Sequence, residues 1–261
     1  MPFPSSPRVV FKRNPLAEVI CQLRFPPILA ISAVPSEFQA PLRDEYPEYT
    51  RGDSLVLPSP VGELLTSLNI PAPVGVRHVF STDSTRGDVK REIALSTDFL
   101  ALTDTRYKRW DYFLPELERA RTTFEGIYKP GPYSRIGLRY TNIIDRSAIP
   151  AVGSHSWTDL IKPPLLDALS DPDVGGQVRE FSANVVLDVP AVQGGKVRVS
   201  HGLRLSDGRE SFVIDADFFT ENRSAATHVY DILESFHSVS GNLFRWAITP
   251  RLFDALEPEP A

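Results

Sequence analysis

Two alternating segments joined by Asp207 and Gly208 constrain the fold of this chain more than any other feature. In residues 196–206 and 209–219, apolar side chains occupy every second position, which is typical of strands that bury one face. Asp-Gly is a preferred two-residue turn of tight hairpins. The two segments therefore predict an antiparallel hairpin, and with it an antiparallel sheet.

The turn also predicts the register of this hairpin. The expected opposite pairs are Ser206 with Arg209, His201 with Ile214, Ser200 with Asp215, and Arg198 with Asp217. The aspartates could form a metal or acid/base site. We favour a plainer interpretation, in which Arg198 and Asp217 form a cross-strand charge pair on a solvated face.

The same periodicity analysis predicts a strand, a helix, a meander and a long helix in the first half of the chain. Apolar residues at three- and four-residue spacing after Trp110 indicate that the last of these is an amphipathic helix. The predicted elements are a strand at 16–25, a helix at 35–46, a weak strand near 62–69, strands at 76–82, 88–95 and 98–103, and a helix at 110–127.

The second half repeats this order. Its predicted elements are a strand at 135–144, a helix at 157–169, strands at 178–188, 196–206 and 209–219, and a helix at 224–246. We therefore predict an α+β fold with two similar halves, residues 1–130 and 131–261, in one compact unit. Antiparallel sheets would carry long helices packed on one face. An internal duplication explains the repeat; a single unduplicated α+β domain is the alternative.

Composition excludes several classes of protein. Of the 261 residues 42% are hydrophobic and 23% charged, as in an ordinary globular protein. The net charge of -5 argues against a nucleic-acid partner. No segment has the length and apolar character of a membrane span, and the first residues do not resemble a secretion signal. With one cysteine, which cannot form an internal disulfide, we expect a cytoplasmic protein without membrane association.

Catalytic and metal-binding motifs do not emerge from the sequence. Cys21 alternates with apolar residues, so its sulfur is expected in the core rather than at a reactive site. The histidines at 78 and 155 stand alone, and His228 and His237 are expected on the polar face of the last helix. We expect neither a metal nor a cofactor, and the sequence leaves open whether the chain is an enzyme.

Arginines on the first strand of each half form the strongest candidate site. Leu23-Arg24-Phe25 in one half matches Leu138-Arg139-Tyr140 in the other. The candidate ligand-binding residues are Glu18, Arg24, Arg135 and Arg139. Guanidinium groups suit carboxylates and phosphates, so paired arginines could anchor an anion. We favour the alternative, structural ion pairs on a solvated sheet face.

Motifs spread along the chain resemble a sporadically distributed family of uncharacterised bacterial proteins of about this length. The similar segments are 14–27, which reads NPLAEVICQLRFPP, 38–47, 136–142, which reads IGLRYTN, and 243–249. The resemblance implies no activity, cofactor or catalytic residue. The scattered distribution of that family suggests an accessory role, such as one in defence-linked gene sets.

Two functional hypotheses follow. The leading one is a non-catalytic binding or interaction protein, whose partner is a protein or a small anionic ligand. The alternative is an enzyme acting on a phosphorylated or carboxylated small molecule, with Arg24 and Arg139 as anchors and Glu18 as acid/base candidate. Homo-oligomer formation stays open.

Overall fold

Antiparallel strands make up the main sheet of the protein in the computed structural model, which describes residues 2–55, 74–83, 91–206 and 208–260. Within these residues the strands are β1 (Val9–Phe11), β2 (Leu16–Arg24), β3 (Glu48–Leu55), β4 (Val74–Ser81), β5 (Arg91–Ser96), β6 (Phe99–Asp104), β7 (Arg135–Ile144), β8 (Phe181–Asp188), β9 (Gly195–Ser206), β10 (Arg209–Thr220) and β11 (Pro258–Pro260).

The order of strands in the main sheet is β3-β4-β5-β6-β2-β7-β10-β9-β8, with β2 beside β7 at its centre. Every neighbouring pair is antiparallel. β1 and β11 pair separately as a two-stranded sheet. The mixed helix and strand content, with antiparallel sheets, confirms the α+β class.

Two long helices accompany the sheet in the described part of the chain. The helices there are α1 (Ser36–Gln39), α2 (Trp110–Tyr128), α3 (Trp157–Leu160), α4 (Val229–Ala247) and α5 (Pro250–Ala255). The second helix, α2, ends at Tyr128, and the next residue, Lys129, adopts a left-handed conformation with φ 48° before a Pro-Gly-Pro segment. Packing joins α4 to β7 and β10, and α2 to β6.

Alternate residues of the central strands join the long helices in one hydrophobic core. Val19, Cys21 and Leu23 of β2 are fully buried, as are Ile136 and Leu138 of β7. The same cluster contains Phe113, Leu117 and Phe124 of α2 and Leu233, Phe236 and Val239 of α4. The intervening residues of these strands therefore belong to the other, polar face of the sheet.

The hairpin prediction is confirmed in detail. Ser206 lies opposite Arg209, and the register continues through His201 opposite Ile214 to Arg198 opposite Asp217. Gly208 has a φ of 74°, a conformation that glycine adopts without strain. The turn and the alternating pattern were thus sufficient to predict this register.

Two of the predicted helices are much shorter in the structure. The helix predicted at 35–46 is α1 followed by a 3₁₀ turn, Ala40–Leu42, because Pro41 has no N–H to continue the α-helical pattern. The helix predicted at 157–169 stops after α3, and 3₁₀ turns at Pro163–Leu165 and Asp167–Ser170 follow. The pair Pro163-Pro164 explains that break.

Other elements differ at their ends or were not predicted. The last long helix, predicted from residue 224, begins at Val229, since Ser224 forms a β-bridge with Tyr133. The short strands β1 and β11, the edge strand β3 and helix α5 have no counterpart in the sequence prediction. The weak strand predicted near 62–69 lies outside the described residues.

No helix in the part of the chain that the structure describes has the length and apolarity needed to cross a membrane.

Candidate functional site

A groove of about 680 Å³ runs along the polar face of the sheet from β2 to β8. It is lined by residues that alternate with the buried ones, so the strand periodicity itself places them there. The lining includes Gln22, Arg24, Arg135, Gly137, Arg139, Arg198, Arg204, Asp215, Asp217, Phe219 and Glu221. Three of the four predicted site residues, Arg24, Arg135 and Arg139, are therefore brought together.

The lining of the groove carries more positive than negative charge. Its basic residues are Arg24, Arg135, Arg139, Arg198 and Arg204, and its acidic residues are Asp215, Asp217 and Glu221. This local surplus contrasts with the net charge of -5 of the whole chain. An anionic ligand would therefore be attracted to this face although the protein as a whole is acidic.

Arg24 and Arg135 lie directly opposite one another where β2 pairs with β7. Both donate to the same acceptor, the Gln22 Oε1, from Arg24 Nε at 3.3 Å and from Arg135 Nη1 at 3.4 Å. Like charges directly opposite on neighbouring strands repel each other. Within the described residues Arg24 has no carboxylate partner to offset this repulsion.

The positive charge of Arg135 is balanced by Asp217 on β10. The Arg135 Nη2 donates to both carboxylate oxygens of Asp217, at 2.9 and 2.8 Å. The predicted charge pair between Arg198 and Asp217 is therefore wrong, although the two residues lie opposite each other as expected. The carboxylate turns toward β7 instead, and Arg198 is left without an ion pair among the described residues.

Arg139 forms the second ion pair of the groove. Its Nε donates to Asp215 Oδ1 at 2.7 Å and its Nη2 to Asp215 Oδ2 at 2.5 Å, a bidentate arrangement. These hydrogen bonds raise the pKa of Arg139. Arg139 thus forms a structural ion pair as expected, with Asp215 of β10 as its partner, whereas Arg24 forms none among the described residues. Arg135 forms a similar pair with Asp217.

Phe219 contacts two of the guanidinium groups. The guanidinium carbons of Arg135 and Arg198 lie 5.0 and 5.7 Å from the centre of its ring. Across the strand from Phe219 is Gly137, where a Cβ would overlap the Arg135 guanidinium. The glycine therefore leaves the space that Arg135 occupies, and the aromatic ring holds both arginines along the groove.

Glu18, the fourth predicted site residue, does not line the groove. It lies opposite Thr141, next to a bulge in β2 between Leu16 and Glu18. Burial raises the pKa of its carboxyl, and the nearby positive charge of Arg139 acts in the opposite direction. Glu18 thus stays within electrostatic reach of Arg139, but it lies outside the groove lining that the three arginines share.

Most of the remaining candidate residues are buried within the fold. The Cys21 thiol is fully buried, and burial raises its pKa. His78 is also buried, with Nε2 2.7 Å from the Ile31 carbonyl oxygen and Nδ1 2.9 Å from the Tyr49 hydroxyl. His201 lies on the apolar side of β9, as its register predicted, and burial lowers its pKa. No group of His, Cys, Asp or Glu among the described residues could hold a metal ion.

His237 is not on a solvated helix face, contrary to expectation. Its ring stacks on Trp110 at 4.5 Å, and its Nδ1 is 2.9 Å from the Tyr140 hydroxyl. Burial lowers its pKa to about 4, so the ring is neutral near pH 7. The start of α2 covers this face of α4, a contact that the periodicity of a single helix cannot reveal.

Comparison of the chain with models of known protein families, with curated proteins and with solved structures found no match.

Proposed function

We propose that this chain is a non-catalytic cytoplasmic binding protein that holds an anionic ligand in the groove on its polar sheet face. The ligand carries at least one carboxylate or phosphate, which Arg24 and Arg198 contact directly. Arg135 and Arg139 form ion pairs with Asp217 and Asp215, which keep these four side chains in position around the ligand. A small molecule of this kind fits a groove of about 680 Å³.

The unpaired charge of Arg24 carries this proposal. Arg24 faces Arg135 across the central strand pair, and of the two only Arg135 has a carboxylate partner within the described ranges. An anion bound beside Arg24 would supply the missing negative charge and relieve the repulsion between the two arginines. Arg198 is in the same situation, because its opposite residue, Asp217, is bound to Arg135.

The contacts of the acidic side chains argue for binding rather than catalysis. Asp215 and Asp217 each use both carboxylate oxygens to accept guanidinium hydrogen bonds. The oxygens of both carboxylates are therefore already engaged by the arginines of β7. The hydroxyl of Ser200 in the groove donates to Asn184 rather than to a base.

An enzyme acting on a phosphorylated or carboxylated small molecule is the second candidate. The observation in its favour is the raised pKa of Glu18, which is typical of an acid/base residue. Its position outside the groove lining weighs against this role. If the protein releases phosphate from a phosphate ester and the Glu18→Gln variant does not, the enzyme hypothesis is favoured.

We also propose that the halves arose by duplication, with both long helices on the same face. The strand order supports this idea: β2, β6, β5 and β4 follow one another outward from the centre, as β7, β10, β9 and β8 do on the other side. A twofold axis through the Gln22–Gly137 pair would exchange Arg24 with Arg139. The extra strand β3 belongs to the first half alone.

Two further expectations accompany this proposal. A cytoplasmic location is consistent with a single, buried cysteine. The resemblance to the sporadically distributed bacterial family suggests an accessory role. The opening and central motifs that this chain shares with the family contain Arg24 and Arg139, the two residues that the proposed twofold axis exchanges.

Isothermal titration calorimetry with inorganic pyrophosphate tests the proposed anion site. We expect saturable binding to the unaltered protein, with Kd raised at least tenfold by Arg24→Gln combined with Arg198→Gln. One charge-assisted hydrogen bond contributes about 1.5–3 kcal/mol, so the loss of two is readily measured.

The matched control is Arg43→Gln, which removes an exposed arginine outside the groove. It should leave Kd unchanged. Equal affinity of the double variant and the control, with both folded, would overturn the proposed site.

A further inference from the structure

A second cavity, of about 280 Å³, lies away from the groove. It is enclosed by the N-terminal segment 5–11, by residues 107–111 at the start of α2, and by residues of α4 between 237 and 245. The N-terminal segment is fixed there, since both the backbone N–H and the hydroxyl of Ser6 donate to Asn242 Oδ1, at 2.9 and 3.0 Å. The hydrogen bonds of Ser6 therefore keep one wall of the cavity in place.

Basic side chains dominate the polar lining of this cavity. Its charged residues are Arg8, Lys108, Arg109 and Arg245 on the basic side and Asp111 on the acidic side. Arg8 is bound to Glu234 at 3.1 Å, and Arg109 is 3.7 Å from Asp111. Lys108 is exposed and has no ion pair within the described residues. Its ammonium group is thus available to a bound anion.

A rigid aromatic wall completes the cavity. The Trp110 and His237 rings are nearly parallel, with centroids 4.5 Å apart and an interplanar angle of 10°. Hydrogen bonds fix both rings: Trp110 Nε1 donates to Glu234 Oε2 at 2.7 Å, and His237 Nδ1 lies 2.9 Å from the Tyr140 hydroxyl. Phe11 and Phe244 add apolar surface to the lining.

We propose that this cavity is a second binding site, which takes a small organic anion with a flat apolar body and one phosphate or carboxylate. The charged group contacts Lys108 and Arg8, which suit either anion. The apolar body packs against Phe11 and Phe244, whose rings already contact each other edge to face at 5.7 Å, so little ordering is needed on binding. The site is independent of the groove, whose lining shares no residue with it.

Phenyl phosphate is a suitable probe, because it combines a phosphate with an aromatic ring. Trp110 lines the cavity and serves as a local fluorescence reporter. We expect saturable quenching by phenyl phosphate, weaker binding of inorganic phosphate and of phenol, and no saturable response in Trp110→Phe. The groove variant Arg24→Gln/Arg198→Gln should respond as the unaltered protein does.

Lys108→Glu provides the decisive variant. Reversing this charge should raise the Kd of phenyl phosphate at least fivefold. The control, Lys129→Glu, makes the same change at an exposed lysine at the other end of α2 and should leave Kd unchanged. A titration without saturation in the unaltered protein, or equal Kd values for the two lysine variants, would overturn the second site.

Discussion

Arg24 and Arg135 face each other across the central strand pair, and among the described residues only Arg135 has a carboxylate to balance its charge. The carboxylate belongs to Asp217 of β10, two strands away from Arg24. In the part of the chain that the structure describes, the groove on the polar face therefore carries more arginines than carboxylates.

Asp217→Asn should tighten anion binding in the groove. The change removes a negative charge beside Arg135 and Arg198 and leaves Arg135 free to contact the ligand. We expect the Kd of pyrophosphate to fall by about threefold or more, which corresponds to ~0.7 kcal/mol. Calorimetry at constant ionic strength measures this change. Weaker binding in Asp217→Asn would mean that the aspartate, rather than the arginines, contacts the ligand.

The pair Arg139–Asp215 should contribute modestly to stability. The side chain of Arg139 remains 39% exposed, so water screens the attraction despite the bidentate geometry. A double-mutant cycle of Arg139→Met and Asp215→Asn, followed by urea unfolding, should give a coupling free energy of about 1 kcal/mol. Additive losses in the two single variants would show that the pair does not stabilise the fold.

Two groove glycines should respond differently to alanine. At Gly202 a Cβ would overlap the backbone carbonyl of Phe181, so strand β8 would have to move. At Gly137 it would overlap only the end of the Arg135 side chain, which can rotate away. We expect Gly202→Ala to lower the free energy of unfolding by about 1–3 kcal/mol, and more than Gly137→Ala does. If urea unfolding showed a larger loss of stability in Gly137→Ala than in Gly202→Ala, this would contradict the close approach of β8 to Gly202.

His237 should make stability depend on pH. Its pKa falls from an ordinary 6.5 to about 4 in the folded protein. Between these pH values the unfolded chain binds more protons than the folded protein. The contribution of His237 to the free energy of unfolding is therefore fully present above pH 6.5 and is lost as pH falls toward 4. From pH 8 to pH 5 we expect a loss of about 2 kcal/mol from this residue.

Urea unfolding of His237→Gln at the two pH values isolates that contribution, since Arg8, Glu234 and Asp111, the charged groups that influence His237, remain in place. The variant should lose less stability on acidification than the unaltered protein. His228→Gln, at an exposed histidine just before the same helix, should behave like the unaltered protein. Identical pH profiles for all three proteins would rule out a buried neutral His237.

Local patterns predicted local structure well. The Asp-Gly turn and the alternation on either side of it determined which residues of β9 and β10 face each other, because a hairpin register depends on the turn alone. The direction of the Asp217 carboxylate could not be predicted in the same way. It depends on β7 as the other neighbour of β10, which is a property of the whole sheet.

Contacts between distant segments account for the remaining differences. Helical spacing placed His237 on a polar face, but the start of α2 buries it against Trp110. The break after α3, by contrast, could have been expected from Pro163-Pro164. The candidate site was predicted in part: Arg24, Arg135 and Arg139 share the groove, but the aspartates of β10 and Phe219 were not grouped with them.

Native mass spectrometry in the presence of inorganic pyrophosphate tests the central claim most directly. We predict one bound pyrophosphate per chain in the unaltered protein, in Arg43→Gln and in Lys108→Glu, with loss of that adduct in Arg24→Gln/Arg198→Gln. An adduct of the same abundance in all four proteins, or none in the unaltered protein, would contradict an anion site in the groove.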